Sequence, residues 1–391
     1  MRSNSNMKSA VMKSAVMKSA VSLVACALFF SGALLYNKDA RAESEPYSSA
    51  KSAYVMEAST GRTLFSWNAR EQLPMASTTK VMTALIALER GGLDEIVTCS
   101  RNAFGVGGTS IYLQLGEQLT MADMLLGLML ASGNDAAVAI AEHVGGDLPT
   151  FYEMMNTRAL QLGAYDSNFA SPNGLPTDGH YTTAYDLALI TQAAMRIPKF
   201  REIVSTQRAA IPWANHEYDR VLVNKNRLLS DYSGATGVKT GFTRAAGRCL
   251  VFGAERDGME IIGVVLNCSD WFDEAERLMN LAFDGYSMVG MLSDGDIIRS
   301  LPVVDGLEQS VRLRLDGDLA APFSKNESVR VELDLPDVVN APTWPGEVIG
   351  FAKLYANDAL VAERPIVADS TIERRSFVGA LRQIIRNWLL I

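Results

Sequence analysis

The chain has 391 residues, 48% of them hydrophobic, with 36 Lys and Arg against 44 Asp and Glu, a formal net charge of −8. That length allows more than one domain around an ordinary apolar core, and an acidic body without a basic patch argues against nucleic acid as a partner. The three histidines, His143, His180 and His216, are far apart and no Cys or His pair has ligand spacing, so neither a metal site nor a cofactor is expected.

Residues 1–42 read as an export leader. Arg2, Lys8, Lys13 and Lys18 form a positive lead, Val21 to Tyr36 is almost wholly apolar, and Ala40-Arg41-Ala42 is a small-x-small cleavage site. The apolar run is short for a bilayer span, which favours cleavage before Glu43 over an uncleaved anchor. The pentad Met-Lys-Ser-Ala-Val recurs from Met7, Met12 and Met17, an expanded leader rather than a folded repeat. Loss of Cys26 with the leader leaves Cys99, Cys249 and Cys268, an odd and sparse set that is no disulfide framework.

Next come two expected strands, Ser52–Met56 and Thr63–Trp67, about a turn at Gly61. After Pro74 a helical pattern starts at Ser77 and runs through Val81, Met82, Leu85 and Ile86 to Gly91-Gly92. Further helices are expected over Met121–Leu130, Asp135–His143, Thr150–Leu162 and Thr183–Met195, and a hairpin over Cys249–Glu255 and Met259–Asn267. The layout is α+β: an antiparallel sheet with a helical cluster.

Three short polar strings punctuate this region. Ser77-Thr78-Thr79-Lys80 places a hydroxyl and an amine on one helix face. Taken alone, Ser77 reads equally well as a helix N-cap. For Lys80 to accept a proton from Ser77, burial and a second cation such as Lys239 must lower a pKa ordinarily near ~10.4. Ser132-Gly133-Asn134 splits two apolar helices; it could be a plain turn, or a cleft where Ser132 relays a proton and Asn134 holds a substrate amide. Lys239-Thr240-Gly241, leading into Phe242, reads as an edge strand. A glycine in a strand often marks close approach of another backbone; an exposed strand end with a solvated Lys239 is the alternative. A substrate could add to that strand with its carboxylate held by Thr240 and Lys239. Nucleophile, proton acceptor, second shuttle and anion clamp together are what acyl transfer through a serine ester requires.

Around Ser293-Asp294-Gly295 the texture changes to alternating strands such as Val311-Arg312-Leu313-Arg314-Leu315, with no chemistry in them, and a small all-β domain is expected over 291–370. Over 371–391, Phe377, Val378, Leu381, Ile384, Ile385, Trp388 and Ile391 recur at helical spacing opposite Arg374, Arg375, Arg382 and Arg386. That pattern suits a helix lying in an anionic membrane surface, with the β domain as a spacer; docking on the protein's own core is the alternative.

The motifs and their order resemble the penicillin-recognising serine enzymes, the transpeptidase/β-lactamase-like fold. Within that group Pro74-Met75-Ala76-Ser77-Thr78-Thr79-Lys80, Ala131-Ser132-Gly133-Asn134-Asp135-Ala136, Ser171-Pro172-Asn173-Gly174-Leu175, Gly179-His180-Tyr181 and Gly237-Val238-Lys239-Thr240-Gly241-Phe242-Thr243 are similar to the low-molecular-weight D-alanyl-D-alanine carboxypeptidases, closest to those of Gram-positive spore formers. The resemblance spans the mature chain, with residues 43–290 as catalytic domain. It implies removal of the terminal D-alanine from peptidoglycan stem pentapeptides, covalent inhibition by β-lactams, and residence on the outer face of the cytoplasmic membrane. It also implies catalytic Ser77, Lys80 and Ser132, substrate contacts from Asn134, Lys239, Thr240, Gly241 and Phe242, and an oxyanion hole from the Ser77 and Phe242 N–H groups. Lys225 stands where some relatives carry arginine. Two rivals are a class A β-lactamase and a non-catalytic peptidoglycan-binding envelope protein. No glutamate lies near Pro172-Asn173-Gly174-Leu175 to deacylate as in the former, and the intact motifs oppose the latter.

Overall fold

The structure, a computed structural model, describes residues 47–375 together with Phe377, Leu381, Ile384, Ile385 and Trp388. The expected leader and most of the expected terminal helix lie outside the described residues. No helix among the described residues is long and apolar enough to cross a membrane.

The catalytic half is organised by one antiparallel sheet. β1 (Ser52–Glu57) and β2 (Thr63–Trp67) begin it; β3 (Ile96–Thr98) with β4 (Gln118–Thr120) and β5 (Arg208–Ile211) with β6 (Arg220–Val223) form two separate two-stranded pairs; β7 (Ala235–Thr243), β8 (Gly247–Arg256) and β9 (Met259–Leu266) complete it. The order β2-β1-β9-β8-β7 leaves β7 at an edge, as its sequence suggested. Its register pairs Lys239 with Val251 and Gly241 with Cys249.

Residues of alternate parity along β8 and β9 enter two different cores. Val251, Ile262 and Val264 pack against the helical cluster. Leu250, Phe252 and Val265 pack on the other face against Leu278 and Met279 of a helix spanning Trp271–Gly285. The near-continuous apolar runs of these strands fit a sheet buried on both faces. The second covering helix was not anticipated; its apolar stripe (Phe272, Ala275, Leu278, Met279, Ala282) has helical spacing.

The later region is all β: β10 (Tyr286–Leu292), β11 (Ile297–Val304), β12 (Ser310–Leu315), β13 (Leu319–Ser324), β14 (Val329–Asp334), β15 (Val339–Asn340), β16 (Val348–Ala356) and β17 (Ala359–Ala368). β10 pairs with β13, and the others form a sheet in the order β14-β16-β17-β12-β11-β15 around a core of their own. This β structure begins at Tyr286, before the change in texture near Ser293, because β10 leaves the preceding helix directly. Arg62, at the β1–β2 turn, ties the halves together. Its guanidinium donates to Pro322 O and pairs with Glu327, and it lies 5.4 Å from the ring centroids of both Tyr286 and Phe323.

Candidate active site

Ser77 sits on a short 3-10 turn, Ala76–Thr79, that feeds the helix Lys80–Arg90. Met75 occupies the cap position and no side chain caps the turn, so the helix-cap reading of Ser77 does not hold. Its neighbours hold the backbone instead: Thr78 Oγ1 donates to Met75 O (2.6 Å) and Thr79 Oγ1 to Ala76 O (2.8 Å). Ala76 stands at φ +51°, a left-handed conformation that costs a non-glycine residue.

One turn on, Lys80 is fully buried. Its ammonium donates to Ser77 Oγ (2.9 Å), Asn134 Oδ1 (2.7 Å) and Asn173 O (2.7 Å), which occupies all three N–H groups. Once the amine is neutral, the same 2.9 Å contact lets the Ser77 hydroxyl donate to nitrogen. Burial holds the Lys80 pKa well below the usual lysine range, and the charges of Lys239 and then Lys225 push the same way, against Asp135.

The Ser132-Gly133-Asn134 string lies between the helices Met121–Met129 and Asn134–Gly145. Ser132 is at φ +63°, the second strained residue of the site, and its carbonyl accepts from Thr109 Oγ1 (2.6 Å). Asn134, expected to hold a substrate amide, lines the cleft, and its side chain is also bonded within the protein. Its oxygen faces Lys80 and its Nδ2 donates to Gly107 O (2.7 Å). The buried Asp135 accepts from Ser110 Oγ, Ile111 N and Leu113 N, folding the cleft rim back on this turn.

On β7, a Cβ placed on Gly241 would fall 2.9 Å from Ser77 N and 3.0 Å from Thr78 N. Only glycine lets the strand lie this close to the Ser77 turn. Lys239 is buried, 1% exposed, and donates to Thr240 O (3.1 Å). Burial, then the charge of Lys225, pushes its pKa down to about 7.

Ser77, Ser132, Asn134, Thr240, Gly241 and Phe242 all line one cleft of about 400 Å³. Lys80 lies behind Ser77, and Lys239 is not in the wall. Lys225, only sketched from sequence, is in the wall, and burial lowers its pKa too. Among the described residues no cluster of His, Cys, Asp or Glu could hold a metal ion.

Sequence reasoning missed three contributors. Asn173 acts through its carbonyl, which no side-chain motif reports. Trp271, at the start of the second covering helix, lines the cleft. His180 is buried; its Nδ1 accepts from Ala170 N (3.1 Å), so the neutral ring carries its proton on Nε2 and donates to Thr79 Oγ1 (2.8 Å). Burial lowers its pKa to about 4, consistent with that neutral form. Thr79 in turn donates to Ala76 O, so His180 braces the turn that carries Ser77. Gly174, at φ +83°, abuts the same carbonyl, and a Cβ there would overlap Ala76 O at 1.8 Å. The strings Ser171–Leu175 and Gly179–Tyr181 were the available signal for both.

Comparison with known proteins bears on this geometry. Residues 39–270 match the family described as D-alanyl-D-alanine carboxypeptidase, and residues 286–374 match the penicillin-binding protein 5 C-terminal domain. The D-alanyl-D-alanine carboxypeptidase DacF of Bacillus subtilis is 31% identical over 92% of this chain and 95% of its own length. Penicillin-binding protein 5 from Haemophilus influenzae superposes with a TM-score of 0.72 at 28% identity, over 84% of this chain and 99% of that one. The Streptomyces K15 DD-transpeptidase superposes with a TM-score of 0.58 at 34% identity, over 61% of this chain and 99% of that one. The fold is therefore that of the penicillin-recognising serine hydrolases, followed by a C-terminal all-β domain.

Proposed function

The chain belongs to the D-alanyl-D-alanine carboxypeptidase family of low-molecular-weight penicillin-binding proteins, and on that premise we propose that it removes the terminal D-alanine of peptidoglycan stem peptides through an ester on Ser77. The observation that carries this reading is the 2.9 Å approach of the buried Lys80 amine to Ser77 Oγ at the floor of the cleft.

Neutral Lys80 takes the Ser77 proton as Oγ attacks the carbonyl of the penultimate residue. Negative charge develops on that oxygen beside the β7–turn junction, where the Ser77 and Phe242 N–H groups stabilise it. Collapse expels D-alanine, protonated through Lys80 and Ser132. Water activated by the same pair then hydrolyses the ester and frees Ser77. Lys225, as the cation in the cleft wall, meets the substrate's terminal carboxylate together with Thr240. Lys239 works from behind, through its field on Lys80. β-Lactams acylate Ser77 by the same attack.

Incubation with penicillin is expected to add one inhibitor mass per chain, and Ser77→Ala to abolish it. An adduct that survives the substitution discards Ser77 as nucleophile. Release of D-alanine from a synthetic stem pentapeptide tests the activity directly.

We also read the protein as exported, with residues 43–285 as the catalytic domain and 286–370 as the spacer domain. The terminal segment lies in the outer face of the cytoplasmic membrane. Support comes from its sequence pattern and from Phe377, Leu381, Ile384, Ile385 and Trp388, all exposed. Truncation after Ser370 is expected to free the protein from membranes with its activity intact; persistent attachment moves the anchor elsewhere.

A further inference from the structure

The β half carries an apolar stripe that its own fold leaves uncovered. From Val338 to Trp344 burial alternates residue by residue. Val339, Ala341 and Thr343 are buried, whereas Val338, Asn340, Pro342 and Trp344 are exposed. Val304, paired with Asn340 in the parallel β11–β15 contact, is exposed with them. Val304 and Val338 are 44% and 46% exposed and Trp344 is 56% exposed. Of the five tryptophans, only Trp344 and Trp388 are more than half exposed. Single exposed apolar residues need no explanation, but an indole with two valines around one point of the surface marks a contact.

That point is where the chain leaves the domain. Thr343 and Ile372 exchange backbone hydrogen bonds (3.0 and 3.1 Å), and Arg375 N donates to Asp305 O (2.6 Å). Trp344 and Val304 are the chain neighbours of Thr343 and Asp305, so they stand at the outlet of the terminal segment. In that segment Phe377, Leu381, Ile384, Ile385 and Trp388 are themselves exposed, so it does not fold back to cover the stripe.

Charge around the outlet is mixed. Asp305 and Asp369 pair with Arg374 (3.4 Å) and Arg312 (3.1 Å), while the exposed Asp337 and Glu347 flank the stripe itself. Attraction to anionic headgroups therefore does not carry a contact here; the indole does, because an apolar ring with one N–H donor suits the boundary between acyl chains and water.

We propose that Val304, Val338 and Trp344 form a membrane contact of the folded β domain, with the Trp344 indole at headgroup level in the leaflet that takes the terminal segment. The tail alone would leave the domain free to swivel about its outlet, and a contact beside the outlet fixes its tilt. The proposal rests on the membrane reading of the terminal segment above and adds a surface that lies outside it.

The test uses the exported form, Glu43–Ile391, with vesicles of phosphatidylglycerol and phosphatidylcholine, the latter brominated near the headgroup end of one acyl chain. Trp388→Phe removes the tryptophan of the tail. The bound Trp388→Phe protein is expected to lose fluorescence to the bromines, and adding Trp344→Phe to abolish that loss. In the Trp388→Phe background, Trp344→Ser should weaken vesicle partitioning about three- to tenfold, the scale of withdrawing part of one large apolar side chain from lipid. Acylation by penicillin should stay unchanged, which shows the variant folded. Vesicle-bound Trp388→Phe protein without quenching, or partitioning indifferent to Trp344→Ser, overturns the contact. Failure of the unmodified protein to sediment with vesicles overturns the membrane reading of the terminal segment and this contact with it.

Discussion

The two halves of the molecule treat polar groups in opposite ways. The catalytic half buries Lys80, Lys239, Asp135 and the 2.8 Å Arg220–Glu117 pair. Among the described residues beyond Tyr286, the buried polar side chains reduce to Thr343. Charges of the β half stay at the surface, as in Lys353–Asp334 and Arg330–Glu332. Burying an ionisable group is costly unless its partners compensate. Lys80, Lys239 and Asp135 accept that cost beside one cleft, where the burial tunes charge, whereas the β half avoids it and its core serves stability.

The contrast can be broken from either side. The largest effect is expected at Lys80. Lys80→Met should slow acylation by a chromogenic β-lactam at least ~100-fold, the scale of a lost general base, while the protein still melts cooperatively. Near-normal acylation would return Lys80 to a structural role. In the β half, Leu313 is fully buried, and Leu313→Ala should cost about 2–5 kcal/mol in denaturant unfolding. Active-site titration with penicillin should show each folded molecule acylating as before; a loss of acylation per folded molecule would show that the Arg62 contacts carry the damage into the cleft.

A smaller effect is expected at His180, which touches no substrate but braces the turn. His180→Phe removes both ring hydrogen bonds and should cost about 1–3 kcal/mol of positioning. The acylation rate constant should fall with β-lactam binding nearly unchanged; equal loss of both would mean simple unfolding of the site.

The smallest effect is a shift in pH dependence. Lys80 can accept a proton only when neutral, so acylation fails as pH falls through its folded-state pKa. Burial and then Lys239 hold that pKa down. Lys239→Met removes one of these influences, the pKa rises, and the acid limb of acylation should move to higher pH. A limb that stays put, or moves to lower pH, removes Lys239 from the tuning of Lys80.

Much of this was readable along the chain, for a local reason. Ser77 and Lys80 are three residues apart, Ser132 and Asn134 two apart, and Lys239 to Phe242 contiguous, so each string carries its own geometry once its helix, turn or strand is known. The edge position of β7 and the close approach at Gly241 also followed from local pattern. What stayed hidden works over long sequence distances. The Asn173 carbonyl that meets Lys80 is a backbone atom, identical in every residue type. His180 reaches Thr79 across 101 residues, and Trp271 enters the cleft from a helix on the far face of the sheet.

Sequence alone thus determined the α+β layout and the family and singled out the candidate reactive groups, because side-chain identity and periodicity are written residue by residue. Tertiary structure decided the electrostatics: that Lys80 sits dry among three acceptors, that Lys239 lies behind the cleft while Lys225 faces it, and that His180 and Gly174 lock the turn beneath Ser77. Desolvation and the field of a neighbouring charge depend on what surrounds an atom in space, and those surroundings exist only once distant segments have packed together.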